Sequence, residues 1–231
     1  MTDRCVYGWY GKVPAVGDFI RSDLSQDFVE TWDRWMQAVL PAGREALGNR
    51  WQNCYLEAPI WRFAIAPGLC GLNAVAGVVM PSVDRVGRQF PLCLAAESDA
   101  ALWSGCWSSY AALVSAFETL EAIALNMLED SASVAGLASA LAEAPRPMKE
   151  PATSLIPVGT STAVIAGNSV AEALAANALA ARSAIWVSLV GGQSRVLITS
   201  ALPRENAEIE ALFDLNAPCW VSPQQKERGA R

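Results

Sequence analysis

Between residues 25 and 47 ("SQDFVETWDRWMQAVLPAGREAL") apolar side chains recur at Phe28, Trp32, Trp35, Met36, Val39 and Leu40. Steps of three and four place them on one face of a helix, with Ser25 as N-cap and Asp33 and Arg34 on the opposite face. Pro41 lacks an N–H and its ring crowds the preceding turn, so a kink or an end is expected there, with a further turn over 42–47. Trp32 and Trp35 sit so regularly in the stripe that they read as core residues before they read as part of a ligand box.

The period changes on either side of this helix. Residues 5–10 of "CVYGWYGKVPAVGDF" alternate aromatic and small side chains, predicting a short strand that runs into a shaped loop. Gly8, Gly11 and Gly17 fit neither phosphate-binding glycine pattern and are read as turn residues. Beyond Trp51 and Tyr55, "APIWRFAIAPG" predicts a strand over 60–66, "NAVAGVVMPS" one over 74–80 and "FPLCLAAES" one over 90–97. The intervals leave no room for a crossover helix, so the three form an antiparallel meander. A long helix is expected over 101–129, burying Trp103, Trp107, Tyr110, Leu113, Val114, Phe117, Leu120 and Leu128. Residues 97–143 hold seven acidic side chains and no basic one, so this middle region should offer an acidic surface.

"APRPMKEPATS" (144–154) carries three prolines and marks a boundary between halves. After it, 155–168 reads as irregular or weakly extended, and 169–183 as a helix capped by Ser169 with Glu172 three residues on. Residues 184–200 form a hairpin turning at Gly191-Gly192, and a short helix follows Pro203. The expected organisation is 1–143 with sheet and long helix, 155–221 as a helix-hairpin-helix region packed on it, and 222–231 as a flexible tail. The fold class is α/β, of α+β type, with a central, mainly antiparallel sheet flanked by helices, in one body or two subdomains.

Composition narrows the function. Of the 231 residues 52% are hydrophobic and 17% charged, which excludes disorder and leaves little charge to cover a monomer, so a partner surface is expected. A net charge of −6 disfavours non-specific nucleic-acid or anionic-membrane binding. No apolar run is long enough to span a bilayer and the first residues lack a signal layout, so a cytoplasmic location without membrane insertion is expected. The six cysteines include no C-x-x-C pair and read as small buried hydrophobes in a reducing compartment. The absence of histidine removes Ser-His-Asp, Cys-His and histidine-zinc mechanisms. No cofactor, metal site or catalytic set is indicated.

The chemistry-bearing stretch is "MPSVDRVGRQFPL" (80–92), which sets Asp84, Arg85 and Arg88 between two core strands. In one reading Asp84 accepts from Arg85 or Arg88 and fixes the turn beside Gly87. In a second, an arginine offers its planar donor fork to a partner's carboxylate or to a phosphate. In a third, Lys12, Asp18 or Asp84 replaces histidine in acid–base catalysis.

The segments "GWYGKVPAVGDFI", "FVETWDRWMQAVL", "APIWRFAIAPG" and "GVVMPSVDRVGRQFPLCLA", all within residues 8–95, closely resemble in order and spacing the signature blocks of the TagF family of bacterial type VI secretion. The resemblance implies a cytoplasmic, non-enzymatic accessory protein that represses assembly or firing of the secretion apparatus after translation. It acts through a forkhead-associated scaffold protein. The family's α/β fold is built around an antiparallel sheet. The residues in these blocks taken as structural or partner-binding candidates are Lys12, Asp18, Trp32, Trp61, Arg62, Asp84, Arg85 and Arg88. Many members carry arginine where this chain has Val16 and tyrosine where it has Gln89.

Overall fold

The structure is a computed structural model that describes residues 6–102, 105–146, 163–167 and 183–220. Its strands are β1 (Tyr7–Gly11), β2 (Ile20–Ser22), β3 (Trp61–Ile65), β4 (Ala74–Met80), β5 (Leu92–Ser98), β6 (Ala163–Gly167), β7 (Ala184–Val190) and β8 (Gln193–Thr199). They form one eight-stranded sheet in the order β2-β1-β5-β4-β3-β7-β8-β6, and every pairing is antiparallel. The expected meander is β3-β4-β5, and the β7-β8 hairpin joins the same sheet by laying β7 against the free side of β3.

Helices cover both faces. α1 (Gln26–Leu47), α2 (Trp51–Glu57) and α6 (Asn206–Phe213) bury Trp61, Phe63, Ile65, Val79, Trp186 and Leu197. α3 (Cys106–Ala112), α4 (Val114–Asn126) and α5 (Val134–Glu143) meet the alternate residues Ala64, Val78, Leu92, Leu94, Ile185 and Val187. A strand covered on both faces needs no polar alternation, which is why all seven residues of β4 are apolar or glycine and buried. The apolar excess that suggested a partner surface is thus largely accounted for by a sheet with two covered faces. The fold is α+β, with an antiparallel sheet between helices.

Several expectations need correction. Pro41 does not interrupt α1, which runs on to Leu47: the carbonyl that loses its donor is that of Gln37, an exposed residue on the side of the helix open to solvent. Ser25 does cap the helix, accepting from the Phe28 N–H, and the Glu97 carboxylate holds the Ser25 N–H and hydroxyl at 2.7 and 2.6 Å.

The long helix of 101–129 is divided into α3 and α4 by a tighter turn at Leu113, where the Leu113 N–H donates to Tyr110 and the Ala116 N–H to Leu113. The break rotates Val114 into solvent, and Leu128 lies past the end of α4, so both are exposed while Tyr110, Leu113, Phe117 and Leu120 are buried. Trp103 and the Trp107 side chain lie outside the described residues, as do the bulk of the proline-rich segment, the helix expected over 169–183 and the tail. Within the stretch expected to be irregular or weakly extended, residues 163–167 form β6 at the sheet edge, the extended alternative.

The acidic surface is present in Glu118, Glu129, Asp130 and Glu143, but Glu97 and Glu121 turn inward to partners. Among the cysteines, Cys70, Cys93 and Cys106 are buried, whereas Cys54 is half-buried and Cys219 exposed, because each lies on the outer side of a short helix. Burial pushes the Cys106 thiol up to about 12, and it donates to the Ser183 carbonyl.

Candidate partner-binding surface

At one end of the sheet the loop after β1 (residues 12–19) lies against the loop between β4 and β5 (81–91). The second loop closes on itself through a Val83–Gln89 bridge, an Asp84 N–H bond to the Arg88 carbonyl and a Gly87 N–H bond to the Asp84 carbonyl. Gly87 occupies φ +82°, where a side chain would be strained. The loops are joined by the Arg85 N–H donating to the Val16 carbonyl at 3.1 Å and the Arg88 guanidinium donating to the Gly17 carbonyl at 2.7 Å. Gly11, at φ +147°, brings the end of β1 so close to Pro91 and Leu92 that a Cβ would not fit.

Asp84 is the buried centre of this arrangement. Its carboxylate accepts from Lys12 Nζ at 3.0 Å, Arg88 Nε at 2.6 Å, the Arg88 N–H at 2.9 Å and the Val86 N–H at 3.1 Å. Burial by itself would raise the Asp84 carboxyl, but the Arg88 N–H, the Lys12 ammonium, the Arg88 guanidinium and the Val86 N–H outweigh it and hold the group well below the usual carboxylate range. Beneath the loop Tyr55 donates its hydroxyl hydrogen to the Ser82 carbonyl at 2.7 Å and accepts from the Ser82 N–H. Gln89 is gripped by Trp51 Nε1, Arg44 and Gln52.

These ties leave a fixed backbone with a mixed outer face. Arg85, Val86 and Asp18 are exposed, and Val86 presents 73% of its surface. Among the described residues the Arg85 guanidinium has no ion pair. Phe19 is 40% exposed although its ring stacks on Tyr10 at 5.4 Å, meets Phe90 edge-on at 4.7 Å and lies under Lys12 Nζ at 4.8 Å. The face therefore combines a free guanidinium, an aliphatic knob and an aromatic ring on a rigid support, which suits recognition of a protein surface.

Of the sequence candidates, Lys12, Asp18, Asp84, Arg85 and Arg88 come together here. Asp84 pairs with Arg88, the second of the two arginines considered, and with Lys12; Arg85 takes no part in the pair. Asp18 accepts from the Phe19 N–H at 2.8 Å.

The other three candidates lie elsewhere. Trp32 is fully buried among Phe28, Trp35, Phe63 and Trp186. Trp61 is buried and donates Nε1 to the Leu212 carbonyl at 2.9 Å. Arg62, on the opposite face of the sheet, makes a two-pronged pair with Glu121 at 2.6 and 2.8 Å over the Phe117 ring. The sequence reading did not single out the exposure of Phe19 and Val86, or Tyr55 as a brace. An apolar residue within a charged turn was the available signal for Val86. Among the described residues no group of three or more His, Cys, Asp or Glu side chains is placed to hold a metal ion, and no helix is long and apolar enough to cross a membrane.

Residues 8–144 match the TagF N-terminal domain, described as type VI secretion system-associated, so the antiparallel sheet and its charged rim are those of a protein associated with that system. The match spans more than half of the chain and includes every candidate residue above. The chain belongs to the TagF family. It is also similar to PA0076 from Pseudomonas aeruginosa PAO1, whose crystal structure superposes with a TM-score of 0.67 at 35% identity, covering 90% of this chain and 94% of that one. No curated protein matches.

Proposed function

We propose that this protein is a non-enzymatic regulator that acts in the cytoplasm after translation, repressing type VI secretion assembly by binding a forkhead-associated scaffold protein through the 12–19 and 81–91 rim. Family membership supplies the secretion context. The observation that carries the reading is the rim itself: Asp84 ties down the backbone while Arg85, Val86 and Phe19 stay exposed. Of the three candidate acid–base groups, Lys12 and Asp84 are engaged with each other and Asp18 with the Phe19 N–H, and this favours docking over catalysis.

Val86→Asp combined with Arg85→Glu should weaken binding to the purified scaffold at least about tenfold and release secretion, with an unchanged melting temperature because both side chains are exposed. Wild-type affinity in the double variant, or no interaction between the two purified proteins, would reject the proposal. The uncommitted guanidinium of Arg85 also supports a second reading, a phosphate-bearing segment as ligand. In that case calorimetric titration with phosphopeptides should show affinity that falls with salt and is lost in Arg85→Glu.

A further inference from the structure

We propose that the chain has a second docking site, a groove along α1 that takes an acidic, extended segment of a partner protein with an apolar residue between its carboxylates. The groove has a volume of about 460 Å3 and runs beside α1 from Thr31 to Ala42. Its other wall is formed by the loop after β3 at Gly68 and Leu69, the segment Ala201–Arg204, and Ile209 of α6. Three turns of helix cover about 16 Å, the span of roughly five residues of extended chain.

Three observations define the occupant. Ala38, Ala42, Leu69 and Ala201, seated over the buried Trp35, Val39 and Leu202, make the accessible lining largely apolar, which calls for an apolar side chain. Arg34 on one wall and Arg204 on the other are exposed and form no ion pair among the described residues, and no carboxylate lines the groove. The neighbouring carboxylates are held elsewhere: Glu30 accepts from Gln26, Asp33 from Tyr10 and Gln37, and Glu208 from the Arg204 and Glu205 N–H groups. Two free guanidinium forks flanking an apolar floor, on a chain of net charge −6, complement carboxylates flanking an apolar residue.

The groove is also preformed. Trp35 Nε1 donates to the Pro203 carbonyl at 2.6 Å and joins the two walls. Its lower wall lies at the end of the sheet where β3 finishes and β4 begins, opposite the 81–91 rim. The site is thus separate from the rim and does not depend on the function proposed for it.

The test is selection of a random dodecapeptide display library on the full-length protein, followed by fluorescence anisotropy of the selected peptide. The expected consensus places Asp or Glu on both sides of an apolar residue. Affinity should fall at least about tenfold in Arg34→Glu/Arg204→Glu and again between about 50 and about 500 mM salt. Ala38→Trp, which fills the groove without changing charge, should also abolish binding. All three sites are exposed, so each variant should melt like the wild type. Failure to enrich any peptide, peptides without acidic residues, or equal affinity for the charge-reversed variant would overturn the proposal. So would self-association abolished by the same reversal, which would make a second copy of the chain the occupant.

Discussion

Trp32→Ala should lower the free energy of unfolding by about 3–5 kcal/mol, read as a shift in urea midpoint at constant slope. The indole is fully buried where α1 crosses the sheet, with its ring 5.3 Å from Phe28, 5.3 Å from Phe63 and 4.9 Å from Trp35. These rings are locked by neighbours of their own and cannot collapse into the space that truncation leaves. Trp32 Nε1 has no hydrogen-bond partner among the described residues. Trp32→Phe keeps most of the ring contact and removes a buried, unsatisfied donor, so its loss should stay under about 2 kcal/mol. A loss below about 1 kcal/mol for the alanine variant would contradict the buried placement.

The second large effect is expected at Asp84. Asp84→Ala leaves the buried Lys12 ammonium without its counter-charge and frees the Val86 and Arg88 N–H groups, so the melting temperature should drop by about 10 °C. Asp33→Ala should cost less than half as much, because Asp33 serves the Tyr10 hydroxyl and an exposed Gln37 side chain. Comparable losses would show that Asp84 is not the centre of the rim.

The pH dependence has a definite sign. The folded carboxyl titrates below its unfolded value of about 4, so its contribution is complete above roughly pH 5 and is lost as the pH falls through 4 toward the folded value. Between about pH 7 and about pH 3 the wild type should therefore lose stability more steeply than Asp84→Asn. Parallel profiles would show that the carboxyl is not held low.

Local signals were the legible ones. β4 is found over the predicted 74–80, the Gly191-Gly192 turn fixes the β7-β8 hairpin, and Ser25 caps α1 because a hydroxyl three positions before Phe28 can reach its N–H. The turn around Asp84 was readable for the same reason: Arg88 is four residues away. Lys12, the other partner of Asp84, was not, since only the pairing of β1 with β5 brings the two loops together. α2 was missed because Trp51 and Tyr55 give just one helical step, and the contacts that hold it, Trp51 edge-on to Phe213 and Tyr55 stacked on it, come from across the fold. Pro41 and Leu113 show the limit of periodicity: whether a helix survives an irregular residue depends on which side of it faces water.

The position of β7 has a consequence for synthesis. Arg62 is paired with Val187, so β3 leaves the ribosome well before the strand that covers its outer edge. At about 5–20 residues per second, roughly ten seconds pass in which the nascent N-terminal part offers a row of unsatisfied amides and the greasy ring of Trp61. A fragment ending at Ala144 would keep that edge of β3 uncovered and should self-associate on refolding under conditions where the full chain stays dispersed, a difference that light scattering reads.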